Sequence, residues 1–227
     1  MSNLAALLVV VRRMGSLRER VVFVGGSVRG LLITDAAAPP ERPTDDVDAI
    51  VSVSSRVEYY QLADELRALG FREDASEGAP VCRWLVAGVR VDVMPDEGGV
   101  LSFRNRWYTG ALAHAMQVTV QGEAFRIVSA PYFCATKLDA FADRGNGDFY
   151  HHDLEDVVAV VDGRPELAVE VNAAPRDVRD YIASEISSLL GSPGFMEALP
   201  GHLEGDAASQ ARLPLVKRRL AALAVRR

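Results

Sequence analysis

The order of the strand and helix signals constrains the fold of this chain more than any other feature. Segments rich in β-branched residues and bounded by Gly, Pro or Ser predict strands in the first 130 residues: VVFVGG, VDAIVSVS, VCRWLVAG and VRVDVMP. After Pro131 only helix signals remain, several opened by Pro and closed by Gly. We therefore expect an α+β fold, with a mixed sheet flanked by helices in residues 1–130 and a helical domain in residues 131–227.

Composition predicts a soluble globular protein. The 227 residues are 49% hydrophobic and 25% charged, and no apolar run reaches the roughly 18 to 20 residues that span a bilayer. Cys82 and Cys134 are far apart in apolar contexts, which favours reduced core thiols over a disulfide framework. These features predict a cytoplasmic protein with no membrane partner.

The distribution of charge limits the kinds of partner. The net charge is −6, yet the last sixteen residues hold six basic residues and no acid. An acidic chain of this kind is not a bulk nucleic-acid coat. The basic terminal helix could still contact a phosphate backbone. The alternative is a solvated helix whose cations favour the negative end of its dipole.

A glycine-serine turn follows the first predicted strand. Gly25, Gly26 and Ser27 lead from that strand into a short helical pattern. Backbone N–H groups and a serine hydroxyl at such a turn can bind an anionic phosphate. The turn lacks the Lys-Ser/Thr of a P-loop and the G-x-G-x-x-G spacing of a dinucleotide fold. By itself it predicts a phosphate-binding turn only weakly.

Three aspartates are predicted to share one edge of the sheet. Asp46 and Asp48 lie two residues apart on one strand, so their side chains project to the same face. Asp92 lies between valines on what we expect to be a neighbouring strand. Converging carboxylates repel unless a cation lies between them, and hard oxygen ligands suit Mg²⁺ or Mn²⁺. The alternative is that Asp45 and Asp46 only cap a turn.

The helical half contains a second group of charged residues. Lys137 and Arg144 are seven residues apart, two turns along one helix face, and Asp153 and Asp156 share a face of the following helix. One interpretation is an ion pair between these two helices.

Two adjacent histidines precede the second of these helices. Because neighbouring side chains diverge on a regular element, we predict no metal site at His151 and His152.

The first half of the chain resembles the nucleotidyltransferase superfamily, which includes polymerase beta. The family pattern, hG[GS]S followed by h-D-h-D and a third D on a later strand, is matched by residues 24–27, by Asp46 and Asp48, and by Asp92. One departure is Asp45, which stands where the family has an apolar residue. The resemblance implies a nucleotidyltransferase-like mixed sheet. It also implies transfer of a nucleoside monophosphate from an NTP to an acceptor hydroxyl, with two metal ions bridging the aspartates and Asp92 helping to accept the proton.

The second half is similar to the AbiEii-type nucleotidyltransferases, a toxin-like group. A lysine and an arginine on one helix, followed by a K/H-D-x-x-D pattern, carry this similarity, which covers roughly residues 21–164. It implies that Lys137 contacts the triphosphate, with Arg144 also contributing to nucleotide binding, and that Asp153 is a catalytic or lysine-orienting acid. It further implies ATP or another NTP as donor, the 3′ end of tRNA as acceptor, and a cognate antitoxin protein as partner.

Two alternative functions remain open at this stage. The acceptor could be a small hydroxylated molecule or a protein side chain, and an acidic body favours a cationic acceptor such as an aminoglycoside. The chain could also be a non-catalytic, antitoxin-like or regulatory binding module. The intact set of converging carboxylates argues against that last alternative.

Overall fold

The computed structural model describes residues 1–39, 42–101 and 105–225. Seven strands form one sheet with the order β3-β4-β5-β2-β1-β7-β6. The strands are β1 (Val21–Val24), β2 (Asp46–Val51), β3 (Arg72–Glu73), β4 (Arg83–Val86), β5 (Val89–Pro95), β6 (Met116–Val120) and β7 (Glu123–Ile127).

Helices occur along the whole chain and dominate its second half. They are α1 (Asn3–Met14), α2 (Arg29–Leu32), α3 (Arg56–Ala68), α4 (Gly98–Leu101), α5 (Tyr108–Ala113), α6 (Ala130–Arg144), α7 (His152–Gly163), α8 (Leu167–Ala173), α9 (Arg176–Gly191), α10 (Pro193–Ala198), α11 (Ala207–Gln210) and α12 (Leu213–Leu223). Short 3₁₀ turns occupy Gly15–Glu19, Gly26–Val28 and Leu199–His202. The predicted α+β class, a mixed sheet flanked by helices, is confirmed.

The chain forms two compact units. The first contains Met1–Val28 and Arg42–Ser129, and the second contains Arg29–Glu41 and Ala130–Arg227. The segment from Arg29 therefore groups with the helical residues and interrupts the sheet unit in sequence. The assignment of catalysis to residues 1–130 stays a prediction.

The first unit is built on the mixed sheet. Strand β2 pairs antiparallel with β1 and parallel with β5, so it lies at the centre of the sheet. All four residues of β1 are buried, which explains its continuous apolar sequence. Helix α1 covers the sheet with one face, and Leu7, Val10, Val11 and Met14 on that face are fully buried.

The second unit is an all-helical core built around α6. Helices α7 and α9 both pack on α6, and α12 packs on α7 and α9. The contacts are apolar, since Phe133, Leu138, Val161 and Ile182 are each at most 1% exposed. Buried apolar area of this kind is the main stabilising contribution to a helical core.

Hydrogen bonds fix the segment after Arg29 within the second unit. The backbone N–H groups of Thr34 and Asp35 both donate to the carbonyl of Gly163 at 2.9 Å. Arg164 donates to the carbonyl of Leu32 at 2.6 Å, and Arg212 donates to the Asp35 carboxylate at 2.7 Å. The segment is therefore part of the helical unit.

Two further findings bear on the composition. Within the described residues, the helices are all too short or too polar to cross a membrane. Cys82 and Cys134 are both buried free thiols, and burial raises the pKa of each to about 12. At neutral pH neither thiol is therefore ionised, so neither acts as a nucleophile.

Candidate active site

The three predicted aspartates converge on the sheet of the first unit. In the parallel pairing of β2 with β5, Asp48 lies opposite Asp92 and Asp46 lies two residues away on the same face. Each offers a carboxylate oxygen, and these oxygens all lie within 4.8 Å of one another. Asp92 is buried, whereas Asp46 and Asp48 are partly exposed. We refer to Asp46, Asp48 and Asp92 as the acid triad.

The glycine-serine turn lies directly beside the acid triad. Val24, the last residue of β1, pairs with Asp48. Gly25 has a φ of +70°, and a Cβ atom built on it would lie 2.9 Å from the Cγ atom of Asp48. Glycine is therefore required at residue 25 both for its backbone conformation and for the close approach of a carboxylate.

The other two residues of the turn are closely packed. A Cβ atom on Gly26 would lie 3.3 Å from the Thr44 side chain. The Ser27 hydroxyl is buried and donates a hydrogen bond to the carbonyl of Val24 at 3.4 Å. The structure thus places Gly25, Gly26 and Ser27 next to the aspartates, and their role in binding a phosphate stays a prediction.

An arginine absent from the sequence predictions contacts the acid triad. Arg83 lies opposite Asp92 in the antiparallel pairing of β4 with β5. Its Nε and Nη2 atoms donate to the two carboxylate oxygens of Asp92 at 2.8 and 2.7 Å, and Nη2 lies 3.5 Å from Asp46. The hydrogen bonds to Asp92 raise the pKa of Arg83, so this cation is permanent.

The donor set of the acid triad fits a divalent cation. Carboxylate oxygens are the ligands that Mg²⁺ and Mn²⁺ prefer, and the Gly25 backbone leaves room for the Asp48 carboxylate to reach the group. The structure is therefore compatible with a divalent metal held by Asp46, Asp48 and Asp92.

Lys137 and its predicted partners form a buried network in the second unit. The Nζ atom of Lys137 lies 3.0 Å from Asp153 and 2.8 Å from Asp156. Both aspartates are at most 1% exposed, and Lys137 is 9% exposed. The ion pair between these two helices is therefore present in the structure. The predicted contact of Lys137 with a triphosphate stays a prediction.

Asp153 is held by two cations. Arg144 donates to both of its carboxylate oxygens at 2.9 and 3.0 Å, in addition to the bond from Lys137. Burial pushes the pKa of Asp153 up, but the charges of Lys137 and Arg144 outweigh burial and hold it below 3.8. Asp153 is therefore ionised at neutral pH. Its predicted role as a catalytic or lysine-orienting acid stays a prediction.

Arg29 completes this network, which we call the helical cluster: Arg29, Lys137, Arg144, Asp153 and Asp156. Arg29 is 3% exposed, and its Nη1 atom lies 2.7 Å from Asp156. Sequence reasoning missed Arg29, which stands two residues after the glycine-serine turn. The only signal is its apolar context, with Val28 before it and Leu31 and Leu32 shortly after it, because a charge in such a context is often buried with a partner.

The two adjacent histidines differ from the sequence expectation. Their ring centroids are only 4.1 Å apart, and together with Asp153 they form a group whose ligand atoms lie within 4.8 Å of one another. The expected divergence does not occur because His151 precedes helix α7 as its N-cap, where its Nδ1 accepts from the Asp153 N–H at 3.2 Å. The absence of a metal site at these histidines stays a prediction, and Asp153 also accepts from Lys137 and Arg144.

The basic C-terminal helix uses some of its cations internally. Arg212 binds Asp162 at 2.9 Å, and Arg219 donates to the carbonyls of Val161 and Asp162 at the end of α7. Lys217 and Arg218 are exposed. Arg226 and Arg227, which also contribute to the predicted basic tail, lie outside the described residues.

Comparisons with known proteins show similarity of structure. No protein-family model matches the sequence, and no curated protein matches it either. Among solved structures, an antigenic nucleotidyltransferase-like protein from Paracoccidioides brasiliensis is similar, with 17% identity, a TM-score of 0.53, and coverage of 97% of this chain and 94% of that one. A proposed nucleotidyltransferase from H. pylori has 10% identity, a TM-score of 0.47, and coverage of 98% and 91%.

The first of these similarities extends over nearly the whole chain. At 17% identity it establishes the fold and leaves the activity to be argued from the site. The second has too low a TM-score to add to that argument. The chain therefore has a nucleotidyltransferase-like fold.

Proposed function

We propose that this protein is a divalent-metal-dependent nucleotidyltransferase that transfers a nucleoside monophosphate from an NTP to an acceptor hydroxyl, with release of pyrophosphate. The observation that carries the proposal is the convergence of Asp46, Asp48 and Asp92 beside a glycine turn that leaves room for a carboxylate. A structural cap would need one of these acids. Three aspartates on two neighbouring strands are the donor set expected for a metal that contacts a triphosphate.

The residues of the chain have distinct parts in this proposal. A bound divalent cation would neutralise charge on the triphosphate and polarise the phosphate that is attacked. Asp46 and Asp48 would bind the cation, and the backbone of Gly25, Gly26 and Ser27 would hold phosphate oxygens. Asp92 would either bind the cation or accept the proton of the attacking hydroxyl. Arg83 contacts both oxygens of Asp92.

We further propose that the protein belongs to the AbiEii-type group and modifies RNA at a 3′ end. The order of Lys137, Arg144 and Asp153 along the chain supports this, and so does the exposed Arg218 of the basic helix, which could contact a phosphate backbone. In that context ATP or another NTP is the donor, tRNA is the acceptor, and an antitoxin protein is the partner. The two buried free thiols support a cytoplasmic location.

A second acceptor class is favoured by one observation. The net charge of −6 favours a small cationic acceptor such as an aminoglycoside over a polyanion. The two classes are separated by incubating the protein with each labelled NTP, Mg²⁺ and either total RNA or an aminoglycoside mixture. Label in an RNA band supports the RNA acceptor, and label only in the small molecule contradicts it.

The enzyme class is tested without knowledge of the acceptor. Asp48→Asn keeps the shape of the side chain and removes one charge from the acid triad. Loss of charge stabilisation at a reacting phosphate lowers turnover by on the order of 10²- to 10³-fold. In thermal melts, Mg²⁺ with NTP should stabilise the parent and not the variant, because only a bound ligand shifts the folding equilibrium.

The same melts contain the control for misfolding. Without metal, Asp48→Asn should be at least as stable as the parent, since it relieves repulsion within the acid triad. A parent that is indifferent to metal and nucleotide would support a non-catalytic binding module and overturn the proposed function.

A further inference from the structure

Asn3 is a buried polar residue that the proposed chemistry does not use. It is the first residue of α1 and is 3% exposed. Its Nδ2 atom donates to the carbonyl of Arg42 at 2.8 Å, and its Oδ1 atom accepts from the Thr44 N–H at 2.9 Å. One side-chain amide therefore satisfies both an acceptor and a donor of the backbone, 39 and 41 residues further along the chain.

These two hydrogen bonds fix the segment that leads into β2. Pro43 lies between the two bonded residues, and its ring restricts φ, which further limits the backbone of residues 42–44. Helix α1 also packs on β2 and on the 3₁₀ turn Gly26–Val28. Asn3 therefore ties the entry of β2 to a helix that also contacts the glycine-serine turn.

Thr44 connects this anchored segment to the acid triad. Its hydroxyl donates to Oδ1 of Asp46 at 3.3 Å. The same side chain lies against the turn, since a Cβ atom on Gly26 would be 3.3 Å from it. The other carboxylate oxygen of Asp46, Oδ2, lies 3.5 Å from Arg83. Thr44 thus contacts both an aspartate of the acid triad and the turn beside it.

We propose that Asn3 and Thr44 are positioning residues of the candidate active site: Asn3 holds Thr44 in place, and Thr44 orients the Asp46 carboxylate for a divalent cation. This inference rests on the proposed function. Hydrogen bonds to ligating groups keep them in a geometry that suits the metal, and their loss typically lowers metal affinity by about 10- to 100-fold. The O···O distance of 3.3 Å is long for a hydrogen bond between two oxygens, so we expect an effect near the lower end of this range.

The hydroxyl of Thr44 is tested by two substitutions with opposite expected results. Thr44→Val keeps the branched shape and removes the hydroxyl, whereas Thr44→Ser keeps the hydroxyl. Titration of the full chain with Mn²⁺, with the free ion measured by electron paramagnetic resonance, gives the affinity. We expect Thr44→Val to bind Mn²⁺ about tenfold more weakly than the parent, and Thr44→Ser to bind it nearly as tightly as the parent.

Thr119 provides a matched control on the same sheet. It is exposed on β6, which β7 separates from β1. Thr119→Val should therefore leave the affinity for Mn²⁺ unchanged. Since Thr44 is only partly buried, urea unfolding of Thr44→Val should give a midpoint close to that of the parent. A purely structural role for Thr44 would instead lower this midpoint and leave the affinity for Mn²⁺ unchanged.

A double-mutant cycle tests whether Asn3 acts through Thr44. Asn3→Leu removes both hydrogen bonds at similar side-chain volume and should weaken Mn²⁺ binding about as much as Thr44→Val does. Combined with Thr44→Val, it should have little further effect, because residues that act in one network are not additive.

Three results would overturn the inference. One is a folded Thr44→Val variant that binds Mn²⁺ like the parent, and this result decides even if Asn3→Leu does not fold. Another is a Thr44→Val variant that does not fold, which would assign Thr44 a structural role. The third is full additivity in the cycle. A parent that binds Mn²⁺ in a Thr44-dependent way but transfers no nucleotide to any acceptor would leave the inference standing and overturn the proposed function. A parent that binds no Mn²⁺ would overturn both.

Discussion

The acid triad and the helical cluster contain the same kinds of charged residue but differ in their exposure to solvent. On the sheet, Arg83 pairs with Asp92 and lies near Asp46, and Asp46 and Asp48 are partly exposed. Among the helices, the two buried carboxylates of Asp153 and Asp156 are met by three cations. The first group is partly open to solvent, whereas both carboxylates of the second are buried.

The two groups therefore differ in how their charges are accommodated. Buried charges are tolerated when they are paired, and in the helical cluster Lys137 lies within 3.0 Å of both Asp153 and Asp156. In the acid triad, partial exposure lets solvent stabilise the charges of Asp46 and Asp48. Exposure to solvent is thus the feature that distinguishes the acid triad from the helical cluster.

Removal of Lys137 should give the largest change in stability. Lys137→Ala leaves Asp153 and Asp156 buried with one cation fewer, and breaking a buried ion pair costs about 3–5 kcal/mol. Denaturant unfolding should show this as a large fall in the midpoint. A fall of less than about 1 kcal/mol would mean that the helical cluster is open to solvent like the acid triad.

Arg144 provides the control, because it binds the same carboxylate from a more exposed position. Its side chain is 55% exposed, against 11% for Lys137. Arg144→Ala should therefore cost less than about 1 kcal/mol. If Arg144 contacts the triphosphate as predicted, this variant loses affinity for NTP while it remains folded, and that result would assign the helical cluster a ligand as well.

Replacement of Gly25 tests the close approach beside the acid triad. Gly25→Ala places a Cβ against the Asp48 carboxylate and forces alanine to a positive φ, which costs about 1–2 kcal/mol from the backbone alone. Displacement of Asp48 should also abolish stabilisation by Mg²⁺ in thermal melts. We therefore expect Gly25→Ala to lower both the stability of the sheet unit and its response to Mg²⁺.

Gly122 separates these two effects. It has a φ of +80° and no atom near the position of an added Cβ, so Gly122→Ala carries the backbone strain without the clash. This variant should lose a similar amount of stability and keep the full response to Mg²⁺. Equal loss of the metal response in both variants would contradict the role given to the turn beside Asp48.

Local sequence patterns predicted the sheet unit well. Strands β1, β4 and β5 lie within the predicted segments and β2 begins one residue before its segment, because alternating or continuous apolar residues report burial directly. The two-residue spacing of Asp46 and Asp48 was enough to place them on one face. Strand β3, only two residues long, was not predicted, since so short a segment has no periodicity.

Long-range pairing limited what the sequence could predict about the two charged groups. Arg83 reaches Asp92 through an antiparallel register, and Arg29 reaches Asp156 across 127 residues. Neither register nor tertiary contact can be read from local spacing. The prediction that the two histidine side chains diverge was wrong for a local reason. Neighbouring side chains diverge inside a helix, but His151 is the N-cap of α7.

Acidification should weaken the helical unit before it affects the rest of the chain, and this is the smallest effect that we expect. Burial lowers the pKa of His152 and of His202 below 6.5, and the His202 Nε2 atom lies 2.8 Å from the Phe149 carbonyl. The unfolded chain therefore takes up protons first, so stability falls as the pH drops below 6.5. Asp153 has a lowered pKa, so its contribution is present above 3.8 and is lost only at lower pH. Urea unfolding at pH 7.5 and pH 5.0 should show a modest loss of stability in the parent and a smaller one in His202→Gln. A parent that is equally stable at both values would mean that these histidines are as open to solvent as the acid triad.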